Sequence, residues 1–195
     1  GNGRFVRDVI RHNPSSEVSV RPDASSVTDW QTVGGSEFLS TGISGTMTGR
    51  GYHLGIIDDP IKNWREATNA RLLIQHREWF ASTFLTRAEP GATIIVIATR
   101  WSDEDLSGWL LRQGGWTHIH LPALAEEGDQ MGRLPGEALC PERYTRDDLL
   151  KIREAMESEK IWRALFQADP MPESGEIFDS DTFDAQTWIT GELPV

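Results

Sequence analysis

Hydrophobic and polar positions change their spacing several times along these 195 residues, and each change marks an element. Gly3 to His12 sets Phe5, Val6, Val9 and Ile10 on one side of a short helix, and Asn13-Pro14 stops it. Glu17 to Arg21 alternates as a half-buried strand does, residues 22–29 read as loop, and a second short strand is expected over Glu37 to Gly42. GISGTMTGRG then spends four of its ten residues on glycine. HLGIIDDP follows, an apolar run bounded by polar residues, the pattern of a strand buried on both faces of a parallel sheet.

From Trp64 to Thr86 the spacing becomes helical, with Ala67, Leu72, Leu73, Ile74, Trp79, Phe80 and Phe84 apolar, which predicts one long helix or two. Pro90-Gly91 signals a turn, and Ala92 to Thr99 is rich in β-branched residues and reads as a strand. Strand, helix, strand is a βαβ unit, so the expected class is α/β with a mainly parallel sheet flanked by helices. A helix over Asp103 to Arg112 follows, with Ser102 as its N-cap and Asp103, Glu104 and Asp105 favouring its positive end. Trp116 to Leu121 predicts another strand, residues 126–141 a loop, Thr145 to Ser158 a helix capped by Thr145, and Lys160 to Gln167 a shorter helix.

Composition narrows the picture. A chain of this length with 38% hydrophobic residues holds one domain with a real core. No run approaches eighteen apolar residues and no signal-peptide pattern opens the chain, so no membrane span is expected. The single cysteine, Cys140, excludes an internal disulfide and a cysteine-based zinc site. A formal charge of −11 argues against duplex binding by the whole surface. The excess acid sits at the end, where Leu124 to Val195 carries 7 basic against 17 acidic side chains, so the first two thirds remain open to DNA or nucleotide.

Two stretches carry candidate chemistry. Leu54 to Pro60 (LGIIDDP) delivers Asp58 and Asp59 at the C-terminal end of a strand, the edge at which open α/β sheets bind ligands. One carboxylate there can hold the water shell of Mg²⁺ and its neighbour can orient an attacking water. The residues alone are equally those of a strand followed by an acidic turn. Ile94 to Trp101 (IIVIATRW) ends in Thr99 and Arg100, a hydroxyl and a guanidinium that can meet a γ-phosphate or its water; equally, Thr99 caps a turn and Arg100 pairs with Asp103 or Glu104. The five histidines show no convincing metal spacing, although His118 and His120 share a face. Of the eight tryptophans, Trp79, Trp109 and Trp162 fall on apolar helical faces, and Trp30 and Trp64 lie in polar surroundings.

GGSEFLSTGISGTMTGRGYHLGIIDDPIKN, REWFASTFLTRAEPGATIIVIATRWSDEDLSGWLL, WTHIHLPALAEE, LCPERY and ALFQADPMPESGEIF, in this order, resemble successive blocks of bacteriophage large terminase subunits. The resemblance implies a partial P-loop NTPase core of the ASCE, RecA-like kind, whose parent couples ATP hydrolysis to packaging double-stranded DNA into procapsids. It implies Asp58 as the Mg²⁺-binding Walker B carboxylate, Asp59 as the catalytic acid, Ala98-Thr99-Arg100 as the coupling motif with Thr99 at the nucleotide, and Arg50 or Arg100 as the arginine finger. The cofactors implied are ATP and Mg²⁺. The partners are double-stranded DNA, the small terminase subunit, the portal protein and sister copies in a ring, in the host bacterial cytoplasm.

The chain departs from the family pattern twice. Asp59 stands where many such ATPases have Glu, and no G-x-x-x-x-G-K-[ST] occurs, although Gly42, Gly45, Gly49 and Gly51 supply glycines. The phosphate-binding loop is expected upstream and the nuclease domain downstream, which divides the chain into a partial ATPase core (1–125), a C-terminal helical part (126–178) and an acidic linker (179–195). The rival readings are another helicase-like ASCE ATPase and a non-catalytic module that only binds partners. A parallel sheet without its first strand leaves apolar surface uncovered, so self-association is expected.

Overall fold

The computed structural model describes residues 2–13, 15, 17–43, 45, 47 and 49–171. Pro14 of the helix-stop signal, Ser44, Thr46 and Thr48 of the glycine-rich stretch, and the acidic linker lie outside the described residues. The chain divides into two compact units, one from residues 1–55 and 75–95, the other from 56–74 and 96–195.

In the first unit α1 (Asn2–His12) forms as its spacing predicts, but its apolar side faces outward: Phe5 is 71% and Val9 47% exposed. The buried side is polar, with Arg7 donating from Nη1 to the carbonyl of Ser25 at 2.9 Å and from Nε and Nη2 to Asp8. The two predicted short strands become a three-stranded antiparallel meander, β1 (Val20–Ser25), β2 (Asp29–Thr32) and β3 (Glu37–Leu39), in that order. β1 begins later than the alternation suggested and runs through Pro22 into residues expected to be loop, and β2 starts at the last of those residues, Asp29, and covers a stretch for which no strand was expected. Trp30 explains β2: it is buried and stacks on Phe38, its register partner, at 4.8 Å with the rings 10° apart. Thr32 locks the following turn, since its N–H donates to the carbonyl of Ser36 and its hydroxyl accepts from the N–H of Ser36.

β4 (Tyr52–Asp58) and β5 (Ala88–Ile97) form a small parallel sheet flanked by helices. The α/β class therefore holds, with the parallel part limited to two strands among the described residues. Neither strand is buried on both faces. Gly55 and Ile57 are buried, whereas Leu54, Ile56, Ile95 and Ile97 are between 42% and 56% exposed. The crossover comprises α2 (Trp64–Ala67), α3 (Ala70–Trp79), one turn of π-helix (Phe80–Phe84) and one of 3₁₀ (Leu85–Arg87). Pro90-Gly91 makes no turn but lies within β5. Phe84 gathers Tyr52, Trp79 and Phe80 around it, with centroids 4.8 to 5.8 Å away, and the Tyr52 hydroxyl donates to the carbonyl of Phe84.

The second unit has two apolar clusters. Ile61, Ala67 and Leu73 pack with Trp101; Leu124, Leu149 and Trp162 pack with Phe166, which stacks on Trp162 at 4.8 Å. α4 (Leu106–Gln113), α5 (Arg146–Met156) and α6 (Glu159–Leu165) lie where helices were expected. Thr145 caps α5 in a reciprocal capping box with Asp148, whose carboxyl the Thr145 hydrogen bond holds below its ordinary range. Residues 116–121 form no strand. The Gln130 side chain serves their backbone instead, accepting from the N–H of His120 and donating to the carbonyl of His118, and Gln167 does the same for both polar groups of Leu124.

Candidate functional site

Asp58 closes β4 with its carboxylate exposed. One residue on, Asp59 adopts a left-handed backbone, φ 46°, and its N–H still donates to the carbonyl of Ile97 at 2.8 Å, so the pairing of the two strands continues past the end of β4. The same turn directs the Asp59 carboxylate across to β5, where Oδ1 accepts from the N–H of Thr99 at 3.3 Å. The strand ends thus bring Asp59 and Thr99 together, with Asp58 the residue before the turn. The conformation also bears on the departure from glutamate: φ near +50° is costly for most L-residues and least so for Asn and Asp, whose short polar chains bond locally. At this corner the shorter acid suits the backbone.

Arg100 behaves differently from its neighbour Thr99. Its side chain is 11% exposed, and Nε donates to both carboxylate oxygens of Asp105 at 3.2 and 3.0 Å, with Nη2 3.6 Å from Asp103. Asp105 is 2% exposed and also accepts from the N–H of Gly108 at 2.7 Å. Asp105, not Ser102, is therefore the N-cap of α4; Ser102 accepts from the N–H of Glu104 in the turn before it. The reason is tertiary: the buried guanidinium draws in the one carboxylate that can reach both it and the helix end. Gly108 makes room, since a Cβ there would lie 2.8 Å from the Arg100 guanidinium and 2.2 Å from the carbonyl oxygen of Asp103.

Arg50 belongs to the first unit. Nη1 and Nη2 donate to the two carboxylate oxygens of Asp29 at 2.8 and 2.9 Å, a two-pronged pair that raises the guanidinium's pKa and holds the Asp29 carboxyl below its ordinary range. Both side chains are about two-fifths exposed, 38% and 41%. Residue spacing carries no sign of Asp29, which lies 21 residues away. Asp105 reads in the sequence only as one of three acids at the start of the helix, with Ser102 as the cap.

The remaining candidates resolve into packing. Trp30 is core, and Trp64 carries the Lys160 ammonium over its ring at 4.7 Å and lies 6.3 Å from Trp101. His118 and His120 stack at 5.7 Å; burial pushes His118 below the ordinary histidine value, with the charges of His120 and Arg100 adding to it. Among the described residues no three His, Cys, Asp or Glu side chains form a metal-holding group, and no helix is long and apolar enough to cross a membrane. A hard cation at Asp58 would thus take one or two carboxylates and fill its shell with water and phosphate oxygens, the usual arrangement for Mg²⁺. Compared as a whole, the sequence matches no protein-family model and no curated protein.

Proposed function

We propose that this chain is the Walker B part of a nucleotide-hydrolysing motor of the large terminase kind. The observation that supports the reading is the contact of the Asp59 carboxylate with the Thr99 N–H at the C-terminal ends of two neighbouring parallel strands, beside the exposed Asp58. Asp58 then holds the water shell of Mg²⁺ bound to ATP. Asp59 orients and accepts the proton of the water that forms the new bond to the γ-phosphorus as the bond to the β-phosphate oxygen breaks. Thr99, tied to Asp59, links the state of the nucleotide to β5. Arg100, paired and buried, shapes this turn, which leaves Arg50 as the arginine for a neighbouring subunit's nucleotide. Double-stranded DNA, the small subunit, the portal and sister copies are the partners this reading implies.

Manganese, which replaces Mg²⁺ and broadens nearby amide signals, tests it on the chain itself. Mn²⁺ should broaden the signals of Ile57, Asp58, Asp59 and Thr99, and Asp58→Asn should remove the effect. Broadening that survives Asp58→Asn, or none at this corner, would sink the reading. The absence of G-x-x-x-x-G-K-[ST] supports a second statement: the 195-residue chain alone releases phosphate from ATP no faster than buffer, because the amides and Lys that cradle the phosphates are missing. Clear turnover abolished by Asp58→Ala would overturn it.

A further inference from the structure

In the first unit an open polar cavity of about 480 Å³ is lined by Gly49, Arg50, Gly51, Ser82, Thr86, Arg87, Ala88 and Glu89. Two arginines are among its lining residues. The Arg87 guanidinium donates from Nε to the carbonyl of Met47 at 2.7 Å and from Nη1 to the carbonyl of Thr83 at 2.5 Å and the hydroxyl of Thr86 at 3.4 Å. All three acceptors are neutral, so among the described residues the Arg87 charge has no carboxylate against it, and Nη2 has no partner. The Arg50 guanidinium is held by Asp29 through both oxygens, the planar fork that a phosphoryl group also fits. Because Arg50 and Asp29 are both substantially exposed, exchanging one oxyanion for another there costs little. Gly49, at φ 76°, holds the left-handed backbone beside Arg50 that favours glycine.

We propose that this cavity is a phosphoryl-oxyanion site formed by Arg50 and Arg87, and that Asp29 is the built-in competitor an incoming polyphosphate displaces. Glu89 is the one acidic residue among those lining the cavity, and its charge opposes anion binding there. The cavity falls within the range that holds small ligands, enough for a triphosphate. The inference rests on Arg50 being an arginine that contacts phosphate, as in the proposed function. It needs neither Asp58 nor hydrolysis, and its test reads binding without turnover, so either idea can fail alone.

The probe is inorganic tripolyphosphate titrated into the 195-residue chain, followed through the arginine Nε–Hε signals in ¹H–¹⁵N spectra. Both the Arg50 and Arg87 signals should move together. Asp29→Asn should lower the half-saturating concentration about threefold or more, the strength of an exposed ion pair. Glu89→Gln should also lower it, and Arg50→Lys and Arg87→Lys, which keep charge but lose the fork, should each raise it. Unmoved Arg50 signals, or the same half-saturation with and without the Asp29 carboxylate, would overturn the proposal. If Asp29→Asn disturbs the meander, seen as a shift in Trp30 emission, Glu89→Gln decides alone, and no tightening there counts against the site. A short duplex DNA at equal phosphate concentration is the last arm: if only the duplex moves these signals, the site is not one for a small polyphosphate.

Discussion

Arg50 and Arg100 each grip an aspartate, Arg50 through its two Nη atoms and Arg100 through Nε alone, and the two pairs serve opposite uses. Each donates to both oxygens of an aspartate, Asp29 or Asp105. Arg50 does so on a surface, between glycines, with water able to replace either partner. Arg100 does so with an aspartate only 2% exposed, and that aspartate also caps a helix. Burial, not pairing, separates an arginine that can change partners from one built into the frame. In sequence the two look alike, each having been a candidate for reaching a phosphate.

The contrast predicts very different costs for cutting each pair. Asp105→Ala strands a buried guanidinium and uncaps α4, and should lower stability by about 3–5 kcal/mol, read from chemical denaturation. Asp29→Ala should leave the unfolding midpoint within measurement error. Comparable losses in both would erase the distinction. Gly108→Ala sharpens it from the packing side. Its methyl meets the Arg100 guanidinium and a fixed carbonyl, so a loss of about 1–3 kcal/mol is expected; no loss would mean that the turn has slack.

The smallest effect is electrostatic. His118 should titrate below the ordinary histidine value of about 6.5, and Arg100→Gln and His120→Gln should each raise its midpoint, followed by NMR of the ring protons. The folded state then binds fewer protons at this site than the unfolded chain. Its contribution to stability is therefore complete above the unfolded value and lost as pH falls from there toward the folded one. A His118 midpoint that ignores Arg100→Gln would mean that Asp105 and Asp103 cancel the arginine's charge entirely.

What the sequence showed and hid follows from how local each cause is. Thr145 caps α5 within a single turn of chain, and the strand at Leu54 to Asp58 is a plain apolar run; both were legible. β2 was not, because Asp29-Trp30-Gln31-Thr32 has a single large apolar residue whose partner, Phe38, becomes visible only once the meander closes. Residues 116–121 alternated like a strand but lack a backbone neighbour, and the side chains of Gln130 and Gln167 serve this stretch and Leu124 instead. No spacing rule contains that. At the candidate site the adjacent carboxylates and Thr99 could be read, while the two aspartates that decide what the arginines do could not, since Asp29 acts across 21 residues and Asp105 was one of several nearby acids.

The left-handed turn at Asp59 has a consequence for how this position can drift over generations. Single-base changes from an aspartate codon reach Asn, Gly, Ala, Val, His, Tyr and Glu, but a β-branched or bulky side chain is strained at this φ, whatever chemistry it brings. Of that neighbourhood, Asn and Gly fit the backbone best, and neither can accept a proton. Variants that retain the shape of the corner therefore tend to be folded ones without the carboxylate. Under the proposed function, such a variant would be inherited not as a lost protein but as a well-folded one that has lost a single group.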